Sequence, residues 1–313
     1  MALLMAAADF AMELTRHGPA GEAGGRAPSL DESLAYCRQL AQTHYENFVV
    51  ASRLLPRSLR QHFANVYAYC RWSDDLADEI GDREESLALL DWWEGQLTAC
   101  FAGQVTHPVF VALRQTVREF DIPAQPFHDL LGAFRQDQSV SRYECFTDLL
   151  GYCRRSANPV GRIVLFLGRS HDEERGRLSD SICTGLQLAN FWQDVAADWR
   201  RGRVYIPLED CRRFGCDESD LAAGRANAAT TRLLEFEVRR AEEWLRAGLP
   251  LVERLPGWLA GDIWLMTHGG LKILAKIRSV RFDVWTRRPR VSRWDQVGLF
   301  AGYAFRRLFS GHS

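Results

Sequence analysis

Apolar residues recur at spacings of three and four from about Leu30 to the end of the chain, and strand-like alternation is scarce. The spacing predicts helices and no sheet. Gly, Pro or clustered charge interrupts it near Pro56 and at 106–108, 123–126, 200–207, 215–217 and 287–289. None of these breaks is long enough for a domain linker. The expected architecture is all-α: one domain over residues 31–313, with about eight to ten helices packed by their apolar stripes. The first thirty residues differ. MALLMAAADF lacks the basic start and long apolar run of a secretory signal, and GPAGEAGGRAP is rich in Gly and Pro, so residues 1–30 read as a flexible tail.

Two segments carry candidate chemistry. LRQHFANVYAYCRWSDDLADE predicts a helix on which Tyr67, Arg71, Asp74 and Asp78 fall at i, i+4, i+7 and i+11, sharing one face. Leu59, Phe63, Val66, Tyr69, Cys70, Trp72 and Leu76 make the rest of it largely apolar. Asp75 and Glu79 stand one position round, where they support the acidic stripe or are solvated. CTGLQLANFWQDVAADW repeats the arrangement with Gln187, Asn190, Asp194 and Asp198, set among Leu186, Leu188, Phe191, Trp192, Val195 and Trp199. A carboxylate on so apolar a helix needs an arginine, a metal or a proton.

A single Asp pair at i, i+4 is ordinarily solvated or paired with a nearby cation, but two pairs on two otherwise apolar helices point to a shared ligand. Mg²⁺ takes oxygen ligands, keeps waters and is completed by phosphate, so two facing pairs would clamp a diphosphate and favour its departure. An apolar, aromatic cavity between the helices would shield the carbocation left behind. Neither helix has the ExxH spacing of a carboxylate-bridged di-iron bundle.

Composition narrows the picture further. A net charge of −1 argues against nucleic acid as a partner. The eight cysteines include no CxxC pair and read as buried thiols of a reducing, cytoplasmic compartment. No run approaches the roughly 18 apolar residues of a membrane span. VGLFAGYAFRRLF, with Arg306 and Arg307, is either a terminal helix packed on the core or a segment resting peripherally on the inner face of a membrane.

At these residues the chain closely resembles the squalene/phytoene synthase family, over roughly residues 31–293. YAYCRWSDDLADE and QLANFWQDVAADWRRGRVYIP match the family's two aspartate-rich motifs. The resemblance implies an isoprenoid-synthase-type helical bundle around a central apolar cavity. It implies Asp74, Asp78, Asp194 and Asp198 as Mg²⁺ ligands, Asn190 as a ligand or positioning group, and Arg71 as a diphosphate contact. AFRQDQSVSRYECFTDLLGYC and CRRSANPVGRIV also fit. There Asp137 and Gln138 match polar cavity residues, Tyr152 matches a cavity tyrosine, Asn158 replaces a smaller residue, and Gly161 permits close helix packing.

Departures from the family pattern select a branch. Tyr45, Glu46, Asn47 and Phe48 stand where many members have Ser, a basic residue, Ser and Phe, and Gln193 stands where many have Arg. Other arginines, such as Arg53 or Arg154, are available to compensate. HYENFVVASRLLP, ANPVGR and NFWQDVAADW look most like the hydroxysqualene synthase branch of bacterial hopanoid biosynthesis. That likeness implies presqualene diphosphate and water as substrates, Mg²⁺ but no nicotinamide, and exchange of lipid intermediates with neighbouring pathway enzymes. The alternatives are a synthase joining two prenyl diphosphates head to head, to presqualene diphosphate, squalene or phytoene, and a non-catalytic helical scaffold.

Overall fold

The computed structural model describes residues 2–22, 28–43 and 54–310. Among them are fifteen α-helices and no strand, so the all-α class is as expected, with short helices between the predicted ones raising the number. The backbone gathers into two compact units, Met1–Ser52 with Pro56–Ser139 and Arg53–Leu55 with Val140–Ser313, each taken here by itself.

The first unit contains α1 (Ala2–His17), α2 (Pro19–Glu22), α3 (Leu30–Thr43), α4 (Arg60–Asp78), α5 (Arg83–Ala102), α6 (Pro108–Glu119) and α7 (Gln125–Asp137). α4 begins and ends within one residue of the predicted helix. Its Tyr69 and Trp72 are buried and Trp72 stacks on Trp93 of α5, ring centroids 5.3 Å apart. Tyr69 also donates a hydrogen bond to the Phe127 carbonyl at the start of α7, 2.9 Å. Each such burial contributes about 1.5–3 kcal/mol. Together they fix the rotation of α4, and hence the direction of its acidic stripe.

Within the first thirty residues, read in the sequence as a tail, the structure describes α1. Phe10 is buried with its ring edge-on to Trp72, 5.2 Å between centroids. One turn further on, Glu13 accepts a 2.6 Å hydrogen bond from Tyr36, whose hydroxyl accepts one from Trp72 Nε1. Phe10 and Glu13 share a helix face whose partners lie far along the chain, out of reach of a local reading.

The second unit contains α8 (Phe146–Ser156), α9 (Asn158–Leu167), α10 (Glu173–Arg200), α11 (Leu208–Phe214), α12 (Glu218–Ala222), α13 (Ala228–Gly248), α14 (Gly257–Ser279) and α15 (Arg293–Ser310). α10 is its axis, buried along Leu188, Phe191, Trp192 and Val195. Two glycines let neighbours close on it. A Cβ at Gly161 of α9 would lie 2.4 Å from Ser179 Oγ, as expected of that glycine, and one at Gly185 would lie 2.8 Å from the Leu245 backbone nitrogen of α13. The deeply buried Asp210 and Glu237 share Arg240, at 2.7 and 3.2 Å. All eight cysteines are free thiols, and no described helix is long and apolar enough to cross a membrane.

Candidate active site

On α4 the predicted stripe forms, but Arg71 is already engaged. Its Nε donates to Asp75 Oδ2 at 2.8 Å and a terminal nitrogen meets the other carboxylate oxygen, while Asp74 lies 3.9 Å away. Asp75 is thus buried and bonded to the arginine rather than solvated. Burial lifts its carboxyl to about 7, with Arg71 opposing the rise. Asp74 keeps half of its side chain exposed and Asp78, the last residue of the helix, is exposed. Half-buried Tyr67 has its phenol raised, chiefly by burial. The end of α7 reaches this same place: Gln138 donates to the Ala77 carbonyl at 2.8 Å, and Asp137, half-buried, precedes it.

On α10, Asp194 is held by a cation that the sequence reading missed. Arg288 binds both of its carboxylate oxygens, with Nη2 to Oδ2 at 2.8 Å. The adjacent Gln193 donates its amide to the Pro289 carbonyl. The segment after α14, read in the sequence only as a break, is therefore tied to the acidic helix at two consecutive residues. Asp198, one turn on, has its carboxyl raised to about 6, by burial first and then by Asp194, against the pull of Arg201, Arg203 and Arg288. Asn190 is exposed and Gln187 half-buried on the same helix.

Aromatic rings gather beside Asp194 and Asp198. Phe191 stacks on Tyr205 with centroids 3.9 Å apart, and Tyr152, buried, lies 5.8 Å from Tyr205 and 5.7 Å from Tyr143. A hollow lined by Phe191, Val195, Asp198, Arg203 and Leu221 opens next to this cluster. Tyr152 was expected as a cavity residue, whereas Tyr143 and Tyr205 were not singled out. Asn158 is buried in the packing of α9 on α10, accepting a 3.0 Å hydrogen bond from Thr184. Arg154 is exposed, and Tyr45, Glu46, Asn47, Phe48 and Arg53 lie outside the described residues.

Among the described residues no three His, Cys, Asp or Glu side chains are placed to hold a metal ion by themselves. The carboxylates that the sequence reading proposes as donors come in pairs on their helices: Asp74 with Asp78 on α4, and Asp194 with Asp198 on α10. Such pairs suit Mg²⁺, which completes its shell with water and phosphate oxygens, and suit Zn²⁺ poorly because nitrogen and sulfur ligands are missing from them.

Comparison with known proteins identifies the family. The squalene/phytoene synthase family profile matches residues 41–295. The solved structure of squalene synthase HpnC from Alicyclobacillus acidocaldarius superposes with a TM-score of 0.78 at 43% identity, covering 81% of this chain and 95% of that one. A hydroxysqualene synthase from Zymomonas mobilis is 36% identical over 207 residues, 64% of this chain and 68% of its own. A phytoene synthase from Arthrospira platensis is 30% identical over 279 residues, 85% of this chain and 90% of its own. The chain belongs to the squalene/phytoene synthase family, enzymes that act on prenyl diphosphates.

Proposed function

We propose that this enzyme ionises presqualene diphosphate and lets water capture the rearranged cation, giving hydroxysqualene, pyrophosphate and a proton, with Mg²⁺ and without nicotinamide. The observation that carries the reading is Gln193. Where many relatives have an arginine, this chain has a neutral amide bonded to the Pro289 carbonyl, and the neighbouring guanidinium of Arg288 is matched to Asp194. Two prenyl diphosphates bring two strongly anionic groups, whereas presqualene diphosphate brings one and needs fewer cations. The 36% identity with a hydroxysqualene synthase, above the 30% with a phytoene synthase, supports the same choice.

Asp74 and Asp78 on α4, and Asp194 and Asp198 with Asn190 on α10, would hold Mg²⁺, which when bound neutralises charge on the departing pyrophosphate. Arg71 is oriented by Asp75, and a guanidinium so held offers its remaining N–H groups to phosphate oxygens. Arg288 is bonded to both carboxylate oxygens of Asp194, and its planar fork suits phosphate as well as carboxylate. The faces of Phe191, Tyr152 and Tyr205 supply negative ring density to a cation, about 0.5–2 kcal/mol for each well-placed ring.

A second reading is favoured by coverage: the phytoene synthase matches 85% of the chain against 64% for the hydroxysqualene synthase. It is condensation of two prenyl diphosphates head to head. Steady-state assays with presqualene, farnesyl and geranylgeranyl diphosphates, run side by side without NADPH, distinguish the two. Turnover of presqualene diphosphate well above the others supports the first reading. Efficient condensation of farnesyl diphosphate alone, or of geranylgeranyl diphosphate to phytoene, moves the enzyme to the second.

A further inference from the structure

We propose that the outer face of α15 docks the protein on an anionic phospholipid surface. Trp294, Val297 and Phe305 of this helix are 84%, 58% and 64% exposed, the largest such apolar exposure among the described residues of the second unit. Gly298 and Ala301 are exposed between them, and at helical spacing the five positions fall within one arc of roughly 100°. No charged residue interrupts that arc.

The opposite side of the helix is anchored. Tyr303 donates to the Gly257 carbonyl at 3.1 Å and its ring lies 5.6 Å from Trp264. Asp295, the acid of the helix, is bound by Lys276 at 2.6 Å and Lys272 at 3.4 Å. The apolar arc is therefore presented outward by a helix fixed on α14, and it lies outside the acidic site already described.

Charge identifies the occupant. Residues 287–310 include six arginines and a single acid, Asp295, in a chain whose net charge is −1. Arg287, Arg290 and Arg293 are exposed along the segment that leads into the helix at Trp294, and the sequence adds Arg306 and Arg307 at the other end of the helix. A two-fold pairing of this face with a second copy would bring arginine-rich ends together without acids between them. An anionic bilayer satisfies both features at once, accepting the apolar arc at the level of the acyl chains and the arginines at the phosphates. A tryptophan at the rim suits the interfacial layer.

Flotation of the full chain with vesicles of phosphatidylcholine alone, or with about one third phosphatidylglycerol, tests this. The wild type should float with the anionic vesicles and less so as salt rises. Trp294→Glu with Phe305→Glu should lower partitioning at least tenfold with an unchanged thermal melt. Arg287→Glu with Arg293→Glu should lower it on anionic vesicles by about fivefold per arginine or more. Absence of wild-type binding, or equal binding by the apolar double variant, overturns the proposal. So does sedimentation showing a dimer that the same double variant splits, with no vesicle binding, which would assign the face to a second copy.

Discussion

Asp262 of α14 offers a direct electrostatic test of this fold. It is 5% exposed, its Oδ1 has no hydrogen-bond partner among the described residues, and burial alone raises its carboxyl from 3.8 to about 7. The sign follows from linkage: between those values the unfolded chain ionises while the folded chain keeps its proton, so stability falls as pH rises through the window. The interval of about 3 pH units corresponds to roughly 4 kcal/mol lost at pH 8 relative to pH 4. Asp262→Asn removes the ionisation but leaves a buried amide incompletely bonded, which costs about 1–3 kcal/mol. The variant should therefore be more stable than wild type by about 1–3 kcal/mol at pH 8, a rise in melting temperature of about 1.5 °C per kcal/mol at this size. Near pH 4 the advantage should disappear. Thermal melts followed by circular dichroism across this range give the comparison. A difference that does not vary with pH, or an Asn variant less stable at pH 8, would refute the reasoning and mean that Asp262 has a charged partner in solution.

Alanine at Asp74, Asp78, Asp194 or Asp198 should each nearly abolish pyrophosphate release with a native helical spectrum; near-normal release in any two would remove the metal-clamp assignment. Arg288→Gln should raise KM for the diphosphate about tenfold, the loss of one charge-assisted contact, while stability moves by no more than about 1 kcal/mol because the guanidinium is partly exposed. An unchanged KM would make Arg288 a purely structural partner of Asp194. Tyr152→Phe should keep most activity and Tyr152→Leu should lose up to about thirtyfold in kcat, the scale of a desolvated cation–π contact. Equal kcat in both variants would place the ring away from the developing charge.

The acidic helices were legible because their information is local: a 3.6-residue period puts Asp74 beside Asp78 and Asp194 beside Asp198 whatever surrounds them. Gly161 was legible for a similar reason, as a small residue within an apolar helix. What escaped depends on long-range partners. Arg288 lies 94 residues from Asp194, and its segment carried only the signature of a break. Asp75 is the exception, since Arg71 is its i,i+4 neighbour and only its burial comes from the packing of α4. Asn158 was read as replacing a smaller residue, and its bond to Thr184 across a helix contact could not be paired from the sequence. Phe10 and Tyr36 joined α1 to the core through side chains that a composition reading of the first thirty residues could not pair.

The central claim concerns which nucleophile ends the reaction. Incubation of the enzyme with presqualene diphosphate and Mg²⁺ in ¹⁸O-labelled water, without NADPH, followed by mass spectrometry of the lipid product, tests it most directly. The account predicts hydroxysqualene carrying one labelled oxygen. No hydroxysqualene from that incubation, with squalene as the main product of a parallel reaction containing NADPH, would contradict it.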